Sequence, residues 1–207
     1  MRLGILGGTF DPIHFGHLLA AEETRMALAL ERVLFAPVGD PPHKPGDFIL
    51  PATHRLAMVR LAIADNPAFA LTSVDIERPG PHYTVDTISR LREEWGTGAD
   101  ETFFIMGADS LAQLLTWRQP DRLIELCRLA VVRRPGYRAD LAELEAALPH
   151  VGSRLDWVEM PVLGIASSDL QRRVREGRSI RYQVPVAVAK YVAEHGLYRN
   201  NSMAEAG

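Results

Sequence analysis

The sequence predicts an α/β protein built around a parallel sheet, and three observations lead there. Short apolar runs alternate with longer segments whose apolar residues recur at helical spacing. The turns between them carry glycine and proline, and the richest of these turns directly follows the first apolar run. At 207 residues and 47% hydrophobic composition, the chain is long enough to bury both faces of such a sheet.

The elements follow in order. Arg2–Leu6 reads as a buried strand around the run Leu3 to Leu6, and Leu18–Leu30, rich in Ala, Leu, Glu and Met, reads as a helix. Arg32–Pro37 is the second strand. The stretch from Gly39 to Leu50, dense in proline and glycine, reads as a mobile flap. Thr53–Ala64 is expected to be helical, with Leu56, Val59, Arg60 and Ile63 forming its packing stripe. Further strands are expected at Ala70–Val74, Thr102–Met106 and Leu129–Arg133, with helices at Thr84–Trp95, Ser110–Leu115 and Asp121–Leu126. One more strand, Leu155–Glu159, precedes the helix opened by "GIASSDLQRRV". The last helix starts near Pro185, a residue suited to a first helical position, and stops at Gly196. Residues 1–199 read as one domain without repeats or linkers, and 200–207, small and polar, as a disordered tail.

Composition narrows the function. A net charge of −3 and a pI near 6.2 argue against a protein that coats nucleic acid. Cys127 is the sole cysteine, so no intrachain disulfide forms and a reducing compartment is expected. The first apolar run is too short for a secretory signal, and no stretch approaches the roughly 20 apolar residues of a membrane span. A cytoplasmic protein with no membrane partner is the expectation.

The chemistry concentrates in "GGTFDPIHFGH", residues 7–17, between the first strand and the first helix. In α/β proteins that edge binds ligands. Gly7 and Gly8 allow a tight turn and close backbone approach, and unpaired N–H groups at the following helix start favour an anion. His14 and His17 are one helical turn apart and share a side if Pro12 opens the helix, while Gly16 between them clears space for the ligand. The spacing matches neither GxGxxG nor a Walker loop. A phosphate-binding turn with two imidazoles aimed at the phosphates results.

Other motifs lie on the same edge. "PPHKP", residues 41–45, places His43 and Lys44 after the second strand; a rigid surface loop with a solvated lysine is the plain alternative. In "GADSL", Gly107 permits close approach, and Asp109 either accepts from a ribose hydroxyl or caps a helix. Trp117 is suited to stacking on a planar ring or to the core. Arg133 and Arg134 of "RRPGY" are phosphate partners or strand-end charges. Ser167 and Ser168 open a late helix with hydroxyls, as an anion site or an ordinary cap.

Taken in this order, GGTFDPIHFGH, PPHK, HYT, GADSL, TW and RRPGY resemble the bacterial nicotinate-nucleotide adenylyltransferases of the HxGH nucleotidyltransferase superfamily. The resemblance runs from Leu3 to the terminal HGLYR. It implies a doubly wound, Rossmann-like parallel sheet of five strands, with helices on both faces and a C-terminal helical segment. It also implies transfer of AMP from ATP to nicotinate mononucleotide, with Mg²⁺ carried on ATP and no metal ligand from the protein. His14 and His17 would be catalytic, gripping the triphosphate. Gly7, Gly8, Thr9 and Phe10 would supply a backbone cradle, with Gly107 and Asp109 at the ATP ribose and Ser167 and Ser168 at its phosphates. Lys44, Thr84, Trp117 and Arg134 would form the mononucleotide pocket. The assembly is left open to a homo-oligomer.

One departure stands out. Where the resemblance expects ISxTxIR, this chain reads Ile165 to Gln171, so Gln171 replaces a cation. Its neighbour Arg172 is turned about 100° around the helix, which points to another cation, such as Arg134, as the compensating charge. The alternative class of function is a nucleotide sensor that keeps the fold without turnover.

Overall fold

In a computed structural model, residues 1–39, 49–133 and 140–199 are described. Six strands, β1 (Leu3–Gly8), β2 (Arg32–Pro37), β3 (Phe69–Leu71), β4 (Thr102–Gly107), β5 (Arg128–Arg133) and β6 (Leu155–Glu159), form one sheet in the order β3-β2-β1-β4-β5-β6. Every pairing is parallel. The sheet therefore has six strands where the resemblance implies five. The sixth is Leu155–Glu159, whose Leu155 pairs with Leu129 and whose Glu159 pairs with Arg133. β3 is shorter than Ala70–Val74 because the Thr72 hydroxyl accepts the Val74 N–H at 3.3 Å and bends the chain off the sheet.

Helices cover both faces: α1 (Phe15–Ala27), α2 (Ala52–Ala62), α3 (Thr84–Trp95), α4 (Ala108–Ala112), α5 (Pro120–Leu126), α6 (Ala142–Ala147), α7 (Ser167–Arg175) and α8 (Val186–Glu194). Neighbouring strand residues point to opposite faces, which divides the core in two. Leu6, Phe35 and Ile105 pack with Ala21, Met58, Leu170 and Val188 from α1, α2, α7 and α8. Ile5, Leu34 and Phe104 pack with Ile88, Leu111, Leu123 and Leu144 from α3 to α6. Because helices close both faces, the strands read as continuous apolar runs.

Several boundaries move for local reasons. α1 starts at Phe15, since His14 itself caps it; Pro12 lies ahead of the helix. α2 turns Arg55, Met58, Val59 and Ala62 inward, so its buried stripe differs from Leu56, Val59, Arg60 and Ile63. The helix expected over Ser110–Leu115 is α4 followed by a separate 3₁₀ turn, Leu114–Thr116, where the Thr116 hydroxyl donates to the Gln113 carbonyl at 2.8 Å. α3 keeps its expected bounds because Gly96, at φ 62°, supplies the left-handed cap. Helix α6 and the 3₁₀ turn Val151–Arg154 are additions to the expected elements. The tail 200–207 lies outside the described residues. No helix among the described residues is long and apolar enough to cross a membrane.

The strand order reverses between β1 and β4, and the carboxyl ends of these two strands flank a crevice, the place where doubly wound sheets bind ligands.

Candidate active site

A cavity of about 760 Å³ occupies that crevice. Its lining includes Gly7, Gly8 and His17 after β1, Gly107 and Asp109 after β4, and Thr84 and Trp117 opposite. The volume lies in the ordinary range of ligand-binding clefts, about 300–1,000 Å³.

The phosphate turn owes its bend to Phe10, which sits at φ 50°. A non-glycine residue there costs about 1–2 kcal/mol. The ring, only 1% exposed, offsets this by packing edge-on to His17 and tilted to Phe35. Gly7 and Gly8 belong to β1, and a Cβ on Gly8 would meet the Phe10 ring at 3.1 Å. Their lack of side chains makes room for aromatic rings beside the turn.

His14 and His17 stack, with ring centres 3.7 Å apart and planes 23° from parallel. His14 Nδ1 accepts the Gly16 N–H at 3.1 Å, and His17 Nδ1 accepts the His14 N–H at 3.3 Å. Each neutral ring therefore carries its proton on Nε2, the tautomer fixed by the bond at the other nitrogen. Burial lowers the pKa of His14 to about 4. Burial, and then the neighbouring His14, hold His17 well below its ordinary value. Two neutral N–H donors result, suited to phosphate oxygens without a competing titration near pH 7. His17 lines the cavity, and His14, 6% exposed, backs it.

Two expectations about this turn are corrected. The space that Gly16 clears is taken by the His14 ring, since a Cβ there would lie 2.9 Å from His14 Nδ1. The N–H groups at the start of α1 are also engaged: Phe15 donates to the Gln183 carbonyl, Gly16 to His14 Nδ1, and His17 and Leu18 to the His14 carbonyl. The groups of this turn left to face an anion are the imidazole Nε2–H groups and the backbone before them.

The cytidylyltransferase-like family model matches residues 5–174 of the chain. A probable nicotinate-nucleotide adenylyltransferase of Thermomicrobium roseum is 54% identical over 96% of this chain and 92% of its own length. Its counterpart in Roseiflexus sp. is 51% identical over 95% and 98%, and that of Thermus thermophilus 46% over 96% and 100%. This chain belongs to the nicotinate-nucleotide adenylyltransferase family. Among solved structures, the Plasmodium falciparum nicotinic acid mononucleotide adenylyltransferase complexed with NaAD superposes with a TM-score of 0.75 at 17% identity, covering 95% of this chain and 96% of that one, a likeness of fold.

In this adenylyltransferase the expected site residues fall into three groups. Gly7, Gly8, His17, Thr84, Gly107, Asp109 and Trp117 meet around the cavity. Asp109 lies within the first turn of α4, and Gly107 is the capping residue, which removes the capping alternative for Asp109. Trp117 is half-buried, edge-on to Phe104 with ring centres 5.9 Å apart, and so serves core and cavity together. Thr9, Phe10, His14, Ser167 and Ser168 stand behind or beside the lining; the Ser167 hydroxyl donates to the Pro12 carbonyl at 3.0 Å, and Ser168 is exposed. Lys44 and Arg134, with His43, lie outside the described residues.

Gln171 holds the turn from the side of α7, where its Nε2 donates to the Asp11 carbonyl at 2.6 Å. Arg172 is exposed and paired with Asp169 at 2.7 Å. Sequence reasoning missed Asp75 and His82, both buried in the cavity wall. Asp75 accepts from the Thr87 hydroxyl and pairs with Arg78 at 2.8 Å. The "HYT" element marked their neighbourhood. Arg55 was missed as well, because an arginine on a helix reads by default as a surface charge.

Proposed function

We propose that this chain transfers the AMP group of ATP to nicotinate mononucleotide, forming deamido-NAD and pyrophosphate. The carrying observation is one cavity that joins the phosphate turn and His17 to Asp109 on one side and to Thr84 and Trp117 on the other. In this reading the mononucleotide's phosphate oxygen bonds to the α-phosphorus of ATP. The bond from that phosphorus to the bridging oxygen breaks, and pyrophosphate leaves with the electron pair. Such a transfer needs alignment and charge stabilisation, with no covalent enzyme intermediate. The Nε2–H of His17 would donate to phosphate oxygens as charge builds, with His14 holding its orientation. Asp109 would accept from the ATP ribose, and Trp117 would stack on the pyridine, with Lys44, Thr84 and Arg134 completing that pocket.

Mg²⁺ would enter on ATP's phosphates and neutralise their charge. Among the described residues no group of three His, Cys, Asp or Glu side chains converges on a cation position, and the donors at the phosphate end are N–H groups. That donor set fits phosphate oxygens carrying their own ion. We place the reaction in the cytoplasm, within a single unit spanning 1–199.

The test is direct. The purified chain is incubated with ATP, Mg²⁺ and either nicotinate or nicotinamide mononucleotide, and pyrophosphate and dinucleotide are followed. Faster turnover of the nicotinate substrate is expected. Nucleotide binding without pyrophosphate release would overturn the reading in favour of a sensor.

A further inference from the structure

The turn that meets ATP's phosphates has its carbonyls tied back. The Gly8 carbonyl accepts the Val38 N–H at 3.0 Å, Thr9 accepts Arg55 Nη1 at 2.9 Å, Asp11 accepts Gln171 Nε2 at 2.6 Å and Pro12 accepts the Ser167 hydroxyl at 3.0 Å. In a planar trans peptide the N–H points opposite to the carbonyl. Holding the Gly8 and Thr9 carbonyls on one side therefore turns the Thr9 and Phe10 N–H groups to the other. Gly8 and its tether Val38 line the cavity, whereas Arg55 does not, so the Arg55 tether on Thr9 acts from behind the turn.

Arg55 is the centre of this arrangement. Its side chain is 2% exposed, yet it lies on a helix where a surface charge would be ordinary. Besides Thr9, its guanidinium donates to the carbonyls of Val38 at 2.8 Å, Gly39 at 3.3 Å and Leu50 at 3.0 Å. The charge is faced by the buried Asp11 carboxylate, which accepts the Leu50 N–H at 3.1 Å and the Tyr198 hydroxyl at 2.5 Å. The turn after β1, the end of β2, the entry to α2 and the residues after α8 thus meet around two buried charged groups, Arg55 and Asp11. A buried guanidinium carries a desolvation penalty that well-packed apolar residues avoid, so a purely structural need is poorly served by one. A fork of donors aimed at carbonyls from several segments is something only arginine provides.

We propose that Arg55, with its partners Asp11 and Tyr198, is a positioning residue for AMP transfer, tethering the carbonyls of the phosphate turn so that its N–H groups face the triphosphate. Loss of the fork frees the Thr9 peptide to rotate, which presents a carbonyl dipole to a polyanion. The inference rests on the AMP-transfer reading for its effect on turnover and on the turn alone for its effect on phosphate binding.

The experiment uses the full chain, Arg55→Lys and Tyr198→Phe, each studied well below its own melting temperature with folding checked by circular dichroism. Two readouts are taken: affinity for inorganic tripolyphosphate and kcat for pyrophosphate release. Arg55→Lys keeps a cation but lacks the fork. It should weaken tripolyphosphate binding and lower kcat by about tenfold each, the effect of losing a charged hydrogen bond. Tyr198→Phe, which acts on the turn only through Asp11, should lower both by the smaller factor of roughly threefold. A merely structural role moves the melting temperature alone, so folded variants with parental affinity and kcat overturn the proposal. If Arg55→Lys fails to fold, Tyr198→Phe decides on the same terms. A parent chain that releases no pyrophosphate refutes the AMP-transfer reading instead, and the tripolyphosphate comparison still tests the tether.

Discussion

Acid should weaken this protein through His14 in a calculable way. The ring caps α1, is 6% exposed and has its pKa lowered by burial from 6.5 to about 4. Below pH 6.5 the unfolded chain takes up a proton that the folded chain refuses, so stability is lost as the pH falls. The loss levels off near pH 4, where the folded ring also protonates. Relative to pH 8, linkage gives about 1.4 kcal/mol lost at about pH 5.5 and about 2.6 kcal/mol at about pH 4.5 from this group. For a domain of this size the first figure corresponds to roughly 3–6 °C in melting temperature. The matched control is His14→Asn, which keeps an N-cap acceptor and removes the titration. Melting curves of both proteins between about pH 8 and about pH 4.5, without nucleotide, cancel the carboxylates, and their difference carries the titration of His14 together with the part of the His17 shift that His14 causes. The parent should lose stability faster than His14→Asn below pH 6.5. Parallel curves across the whole range would refute a neutral, buried His14.

Three further outcomes follow from the site. His17→Ala, removing the Nε2–H that faces the cavity, should lower kcat by on the order of 10²–10³ while the chain stays folded, as steady-state pyrophosphate release would show. Trp117→Ala should weaken mononucleotide binding by roughly 1–3 kcal/mol, more than ATP binding. Its half-buried indole should also bring a lower melting temperature, and calorimetry with each ligand separates the two effects. Arg172→Ala should change the KM for ATP by less than about twofold, because an exposed pair with Asp169 contributes little, and an ATP titration of initial rates checks it.

Much of the scaffold could be read from one sequence because alternation and capping are local. Both faces of the sheet are buried, which writes β2 and β4 as plain apolar runs, and Gly96 announces the end of α3. The spacing of His14 and His17 likewise announced two rings on one side of a helix start. Their stacking and shared capping were not legible, because spacing alone fixes neither how two rings pack nor which of them caps the helix. Arg55 was illegible for another reason. Its acceptors lie as far as 46 residues away, and a charged residue on a helix carries no local mark of burial. Gln171 stood out only as the absence of a cation. Its bond to the Asp11 carbonyl spans 160 residues, and no spacing rule reaches that far.

The hydrogen bond between Asp11 and Tyr198 joins residues 187 apart, and this sets an order of events during synthesis. At about 5–20 residues per second, Tyr198 follows Asp11 out of the ribosome by roughly ten to forty seconds. Throughout that interval the nascent polypeptide already displays both histidines, while the hydroxyl that engages Asp11 has still to be made. The turn thus gains the last of its long-range ties with the residues beyond the last helix, and a chain stalled before them carries the motif without the Asp11–Tyr198 bond.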